Sequence, residues 1–272
     1  MVNKQKILIT SKTGYISNAL VQSLSKKHNI TCIGRSDFLL TNKQEVNKWF
    51  KDKTFDVVIH TAINGGCRLK AEEDNVLSDN LKMFFNLLEH KDKYKKLISF
   101  GSIAENNLHD SLYGLSKHII SQYIQQEDLF YNLKIGGVFD YNEKITRFIK
   151  SNIQRYILKK PQIIINNKYM DFIYMKDLLT IVDCYIANNN LPKVIDCVYT
   201  KKYMLSDISN IINNLSHYKT NIHIENKCIE SPYMGNGSIL NNLKLNLIGI
   251  HQGIEYTYFT LNNNNENTYT DW

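Results

Sequence analysis

The chain has 272 residues, of which 43% are apolar and 22% charged, with a formal net charge of +7. That length suffices for one large domain or for a domain with a smaller lobe, and the composition excludes an extensively disordered chain. No apolar run reaches the roughly 18 residues that a membrane helix needs, and the lysines are scattered, without a basic block, so neither a membrane nor nucleic acid is the expected partner.

Taken in chain order, Lys6 to Thr10 predicts a buried strand, and Tyr15 to Lys27 an amphipathic helix with apolar positions at helical spacing. The alternation continues with Asn29 to Gly34 as strand, Lys43 to Lys51 as helix, Phe55 to His60 as strand, Asn75 to His90 as helix and Lys96 to Gly101 as strand. A helix running to about Gln126 and a strand from Leu133 to Phe139 follow. Such alternation predicts an α/β fold with a parallel, doubly wound sheet, whose ligand lies beyond the carboxyl ends of the strands.

After residue 140 the rhythm changes. A helix from about Thr146, strands at Gln162 to Ile165 and Asp171 to Tyr174, a helix from Lys176 to Ala187, a strand from Val194 to Cys197 and a helix capped by Ser206 are expected. The domain reading is residues 1–140 as a dinucleotide-binding domain and 141–261 as a smaller lobe interleaved with its last strands. Residues 262–272, rich in Asn, read as a loose tail.

The five cysteines, Cys32, Cys67, Cys184, Cys197 and Cys228, are odd in number and lack C-x-x-C spacing. That argues for reduced thiols and against both a disulfide framework and a zinc site, so no metal is expected. The opening Met-Val-Asn-Lys-Gln-Lys leads into a strand-like run without a secretory segment, and a cytoplasmic protein is expected.

Tyr113 and Lys117 stand four apart on a predicted helix, so a phenol and an ammonium share one face. A phenol is a poor proton donor until a neighbouring cation lowers its pKa, and Lys117 supplies that cation one turn away. Residues 10–17 have the spacing of a T-G-x-x-G-x-x-G dinucleotide loop, with Ser11 and Ser17 in place of the outer glycines and Gly14 kept. The residues of this turn, Lys12, Thr13, Gly14, Tyr15 and Ile16, are cofactor-binding candidates. An ordinary strand-to-helix turn is the competing reading. The next strand ends in Gly34, Arg35 and Ser36, where enzymes that use NAD carry an acid and those that use NADP an Arg, so NADP(H) is favoured over NAD(H).

Several runs together resemble the extended short-chain dehydrogenase/reductases that act on nucleotide sugars, the NAD-dependent epimerase/dehydratase family: residues 10–17, 56–62, Asn80, 98–102, 113–117 and 171–177. The resemblance extends from residue 6 to about 260. It implies a Rossmann-like sheet with a smaller C-terminal substrate-binding lobe, Thr61 and Ala62 lining the dinucleotide crevice, and Asn80 near the adenosine half. It further implies that Ser102 holds the sugar oxygen, Tyr113 exchanges a proton, and Lys117 binds the nicotinamide ribose and lowers the tyrosine pKa. Read as residues alone, Ser102 could cap a strand and Asn80 could be an exposed helix residue.

Relatives that also dehydrate carry Thr-Asp-Glu from the Ser102 position, and those that epimerise GDP-sugars use a Cys two residues after the serine together with a His. Here Ile103 and Ala104 follow Ser102, Glu105 comes one place late, and residues 141–147 offer no His. The remaining minimal set suits hydride transfer. The expected reaction is NADPH-dependent reduction of a nucleotide-linked 4-keto-6-deoxy sugar, in the manner of the nucleotide-sugar 4-ketoreductases of deoxysugar biosynthesis. A 4-epimerase retaining NAD uses the same three residues and stays the alternative, and a dinucleotide-binding sensor or scaffold without activity is a third reading. Ile103, Phe139 and Arg147 join Ser102 as substrate-binding candidates, the guanidinium for a diphosphate. Relatives often pair through two helices that include the one bearing Tyr113, so a homodimer is expected, with Ile119, Ile120 and Tyr123 as compatible apolar positions.

Overall fold

The computed structural model describes residues 4–66, 71–106, 111–226 and 228–268, the last five of these by backbone only. The chain divides into two compact units, one of residues 1–134 with 181–196 and one of residues 135–180 with 197–272.

In the first unit, β1 (Lys6–Thr10) buries Ile7, Leu8 and Ile9 completely. An unbroken apolar strand of this kind belongs inside a parallel sheet covered on both faces. β2 (Asn29–Ile33), β3 (Phe55–His60), β4 (Tyr94–Ser102), β5 (Phe130–Ile135) and β9 (Val194–Cys197) complete a parallel six-stranded sheet of order β2-β1-β3-β4-β5-β9. The register sets Ile7 beside Ile30 on one side and Val57 on the other. Strand order reverses between β1 and β3, so their following loops part and open a crevice at the carboxyl ends.

Helices α1 (Tyr15–Leu24), α2 (Lys43–Phe50), α3 (Val76–Leu88) and α4 (Leu112–Ile124) form in this unit. Asn42 starts α2 by accepting from the amides of Gln44 and Glu45 at 3.1 and 3.3 Å, the short polar side chain satisfying donors that a helix start leaves open. Leu8, Val58 and Leu97 of the sheet pack in one core with Phe50, Phe84, Ile120 and Ile124 of the helices. Lys96 is buried in β4, and its ammonium donates to the carbonyls of Tyr185, Ile186 and Asn188 at 2.6, 3.0 and 2.7 Å. It thereby satisfies the end of α6 (Met175–Ala187), where orphan carbonyls and the helix dipole favour a cation.

The second unit pairs β6 (Gly137–Phe139) with β8 (Phe172–Tyr174) and β7 (Gln162–Asn166) with β10 (Ile222–Asn226), both parallel. α5 (Phe148–Ile157), α7 (Leu205–Asn213), α8 (Ser238–Asn242) and α9 (Ile250–Thr268) complete it. Ile153, Tyr156, Ile208, Ile212 and Ile254 fill its core. Asp177 is buried and accepts from the amides of Ile248 and Gly249 at 2.7 and 2.9 Å.

Three local expectations are corrected. The strand expected over residues 133–139 is two strands broken at Gly136, where a Cβ would lie 2.5 Å from the carbonyl of Asp171. The expected loose tail is helical from Asn262 to Thr268, a continuation of α9, while residues 269–272 lie outside the described residues. Ser206 does not cap α7: Met204 stands at the cap position, and Asp207 accepts from its amide at 2.8 Å.

Candidate active site

The turn between β1 and α1 keeps its tight course although glycine is missing from two places. Ser11 adopts φ +67°, the left-handed conformation that glycine takes without strain. Ser17 is buried, its hydroxyl facing the carbonyls of Ser11 and, at 2.9 Å, Gly14. Gly14 is needed as glycine, since a Cβ would lie 2.8 Å from Ser11 Oγ and 3.0 Å from Ser17 Oγ. No side chain caps the start of α1 and its first turn holds no acid, which leaves a helix N-terminus suited to an anion. Tyr15 and Ile16 open that helix.

Beside this turn, Lys12 is exposed and lies 3.6 Å from Asp37. Asp37 also accepts from the amide of Gly34 at 2.9 Å and so closes the bend after β2. Arg35 and Ser36 are exposed on that bend. Arg35, Asp37, Phe38 and Trp49 are among the residues lining a groove of about 560 Å³. Asp37 stands beyond the position that discriminates the ribose.

At the end of β3, Thr10 Oγ1 accepts from the amides of Thr61 and Ala62 at 2.9 and 2.8 Å. With both acceptor positions used, the Thr10 hydroxyl donates to His60 Nδ1 at 3.2 Å. His60 is buried, and burial first, then the charge of Lys117, push its pKa down to about 3. It is a neutral packed side chain. Asn80 is buried rather than exposed: it accepts from the amide of Asn64 at 2.8 Å and donates to the Asn64 carbonyl and to Ser116 Oγ, both at 3.0 Å. Since Ser116 in turn donates to the carbonyl of Tyr113 at 2.7 Å, Asn80 ties the loop after β3 to α4.

α4 begins at Ser111, whose hydroxyl accepts from Gly114 at 3.0 Å. Glu72 adds a second cap: it accepts from Ser111 Oγ at 2.7 Å and from the amide of Tyr113 at 3.1 Å. Gly114 admits the carbonyl of Ala104 to within 2.7 Å of where a Cβ would stand, which seats the 3₁₀ turn Ile103–Asn106 on the helix. Lys117 is buried, donates to the carbonyl of Phe100 at 2.5 Å and lies 5.9 Å from the centroid of the Tyr113 ring. Burial lowers its pKa from 10.5 to about 8, and the charge of Glu105 opposes that fall. Ser102 and Ile103 are buried at the end of β4, and Ser102 Oγ accepts from the amide of Ala104 at 3.1 Å.

The first unit thus holds the 11–16 turn, Arg35, Thr61, Ala62, Asn80, Ser102, Ile103, Tyr113 and Lys117. Phe139 and Arg147 belong to the second unit. There Phe139 is fully buried, with Phe172 and Tyr174 against its ring, and Arg147 is exposed at the cap position of α5. Glu72 and Gly66 carry no local sequence signal, because their contacts with Ser111 and Tyr113 cross long stretches of chain.

The NAD dependent epimerase/dehydratase family model matches residues 7–197, from Ile7 of β1 to the last residue of β9. The chain belongs to that family. Solved structures similar to this member of the epimerase/dehydratase family include a GDP-mannoheptose C4 reductase from Campylobacter jejuni with NADP bound, at 17% identity and a TM-score of 0.82, covering 96% of this chain and 99% of that one. A GDP-L-fucose synthetase from Naegleria fowleri bound to NADP matches at 16% identity and a TM-score of 0.76, over 97% and 95% of the two chains. A UDP-N-acetylglucosamine 4-epimerase from Bacillus cereus matches at 18% and 0.73, over 94% and 96%. Among the described residues of this family member, no group of His, Cys, Asp and Glu could hold a metal ion, and no helix is long and apolar enough to cross a membrane. Cys32, Cys184, Cys197 and Cys228 stand outside any disulfide, while Cys67 lies outside the described residues.

Proposed function

We propose that the protein reduces a nucleotide-linked 4-keto-6-deoxy sugar with NADPH. The observation that carries this reading is the buried ammonium of Lys117 beside the Tyr113 ring, with Ser102 at the end of the neighbouring strand β4. The unblocked start of α1 fits a pyrophosphate, Thr61 and Ala62 fit the dinucleotide crevice, and Arg35 with Lys12 fits a 2′-phosphate better than a bare ribose. NADPH, when bound, supplies the hydride. The chain's own groups then do the rest: Ser102 holds the ketone oxygen, Tyr113 delivers a proton to it, and Lys117 orients the ribose while its charge eases departure of the phenolic proton. Asn80 acts by holding Asn64 and Ser116 in place. Arg147 is the proposed contact for the substrate diphosphate.

Two similar structures, one named a GDP-mannoheptose C4 reductase with NADP bound and one named a GDP-heptose synthase in the presence of NADPH, support the reductase reading. We also propose that copies pair through α3 and α4. Ile119 and Tyr123 are half-buried there, although Ile120 lies in the core of its own unit and Tyr123 also packs on Phe85.

Incubation with NADPH and a panel of UDP-, GDP-, CDP- and dTDP-linked 4-keto-6-deoxy sugars tests the reading. Stoichiometric loss of NADPH absorbance with one of them supports a reductase. Interconversion of 4-epimers with retained NAD and no net redox change replaces it with the epimerase, and cofactor binding without turnover replaces it with a sensor.

A further inference from the structure

Glu105 is a buried carboxyl that the proposed reaction does not use. Its Oε1 accepts from the amide of Ser102 at 2.9 Å and from Asn132 Nδ2 at 3.4 Å. Its Oε2 lies 4.0 Å from Lys134 Nζ, which is held in turn 3.4 Å from Asp196 Oδ1 and donates to Asn106 Oδ1 at 3.0 Å. A Cβ on Gly101 would run into Glu105 Oε1 and lie 2.5 Å from Asn132 Oδ1, a buried acceptor with no partner of its own. Strand β4 therefore carries glycine where the Glu105 side chain folds back across it. An apolar side chain would fill this place without the desolvation that a carboxyl suffers. The turn it closes is the one that holds Ser102 Oγ through Ala104 and rests on α4 at Gly114.

We propose that Glu105 is a positioning residue that fixes Ser102 and its turn against the helix bearing Tyr113 and Lys117, with Asn132, Lys134 and Asp196 holding it from behind. The role in turnover rests on the reductase reading, whereas the hold on Ser102 does not. Both are measured on the full-length protein with Glu105→Ala and Glu105→Gln, by amide hydrogen exchange at Ser102 and by steady-state kinetics.

In Glu105→Ala the Ser102 amide exchanges about 10- to 100-fold faster, the worth of a lost hydrogen bond to a charged group. The value of kcat falls by about 10- to 100-fold, as for a small misplacement of a reacting group, while KM for NADPH stays within about twofold. Glu105→Gln, which keeps the acceptor and the shape, restores both. Unchanged exchange at Ser102 in the Ala variant overturns the proposal, as does wild-type kcat. Should the Ala variant not fold, Glu105→Asp withdraws the carboxyl by one methylene, and wild-type exchange and kcat in that variant overturn it equally. If no keto sugar is turned over by the unmodified protein, the functional reading fails while the exchange result still decides the role of Glu105.

Discussion

The ring of Tyr113 lies against the backbone of Gly66, so closely that a Cβ on Gly66 would stand 2.9 Å from Cε2 and 3.0 Å from Cζ. Gly66 also has φ +72°, which costs an L-residue roughly 1–2 kcal/mol. Gly66→Ala is expected to lower stability by about that amount and to push the phenol off its seat. A misplacement on this scale lowers kcat by about 100-fold. Thermal unfolding and kinetics on the same preparation check both effects.

Replacing Tyr113 with Phe removes only the hydroxyl. The expected loss in kcat is about 10²- to 10⁴-fold, the usual worth of a positioned proton donor. Cofactor affinity, measured by quenching of reduced-nicotinamide fluorescence, should hardly change.

Lys117 must be charged to act as proposed, so kcat should fall as pH rises through about 8. The sign for stability is opposite. With a folded pKa near 8 and an unfolded one of 10.5, the unfolded chain binds more protons between those values, and stability from this group rises with pH across that window. At neutral pH the buried charge is a burden, and Lys117→Met is expected to be inactive yet more stable by about 1–2 kcal/mol. Denaturant titration at pH 7 checks the sign.

His60 gives a window on the acid side. Its folded pKa of about 3 lies below the ordinary 6.5, so stability is fully present above 6.5 and is lost as pH falls toward 3, by an amount of the order of 4 kcal/mol. His60→Asn should flatten this slope between pH 6 and about 4 while lowering stability at pH 7, and urea midpoints across the range would show it.

Arg35 is the residue on which cofactor choice is proposed to turn. Arg35→Ala is expected to raise KM for NADPH by about 10- to 100-fold, the worth of a hydrogen-bonded charge pair, and to leave KM for NADH within about twofold. Equal effects on the two cofactors would remove Arg35 from the 2′-phosphate.

The central sheet and its helices were legible because each strand is an apolar run and each helix carries its own periodicity, both local properties. The Tyr113–Lys117 pair was legible for the same reason, being one turn apart on α4. What escaped was set by contacts distant in sequence. Gly136 breaks a strand because the Asp171 carbonyl passes over it, and nothing in residues 133–139 announces that. Glu72 and Asn80 act on α4 from some 40 residues away, and Glu105 draws on Asn132 and Lys134 of β5, the latter held by Asp196 of β9. The Asn-rich end of α9 has poor helix propensity and gains its helix by continuing one already packed through Ile250, Ile254 and Tyr258.

The sheet recruits its sixth strand, β9, from beyond a long excursion of the chain, and Lys96 on β4 finds its three carbonyl partners in the same late segment. During synthesis, the ribosome must therefore release residue 196 before the first unit can close. Until then β5 is an unpaired edge and Lys96 has no acceptors at all from that segment. A fragment ending at Lys134 would keep the whole turn at Ser11 and the Tyr113 helix, and should still aggregate for want of its last strand.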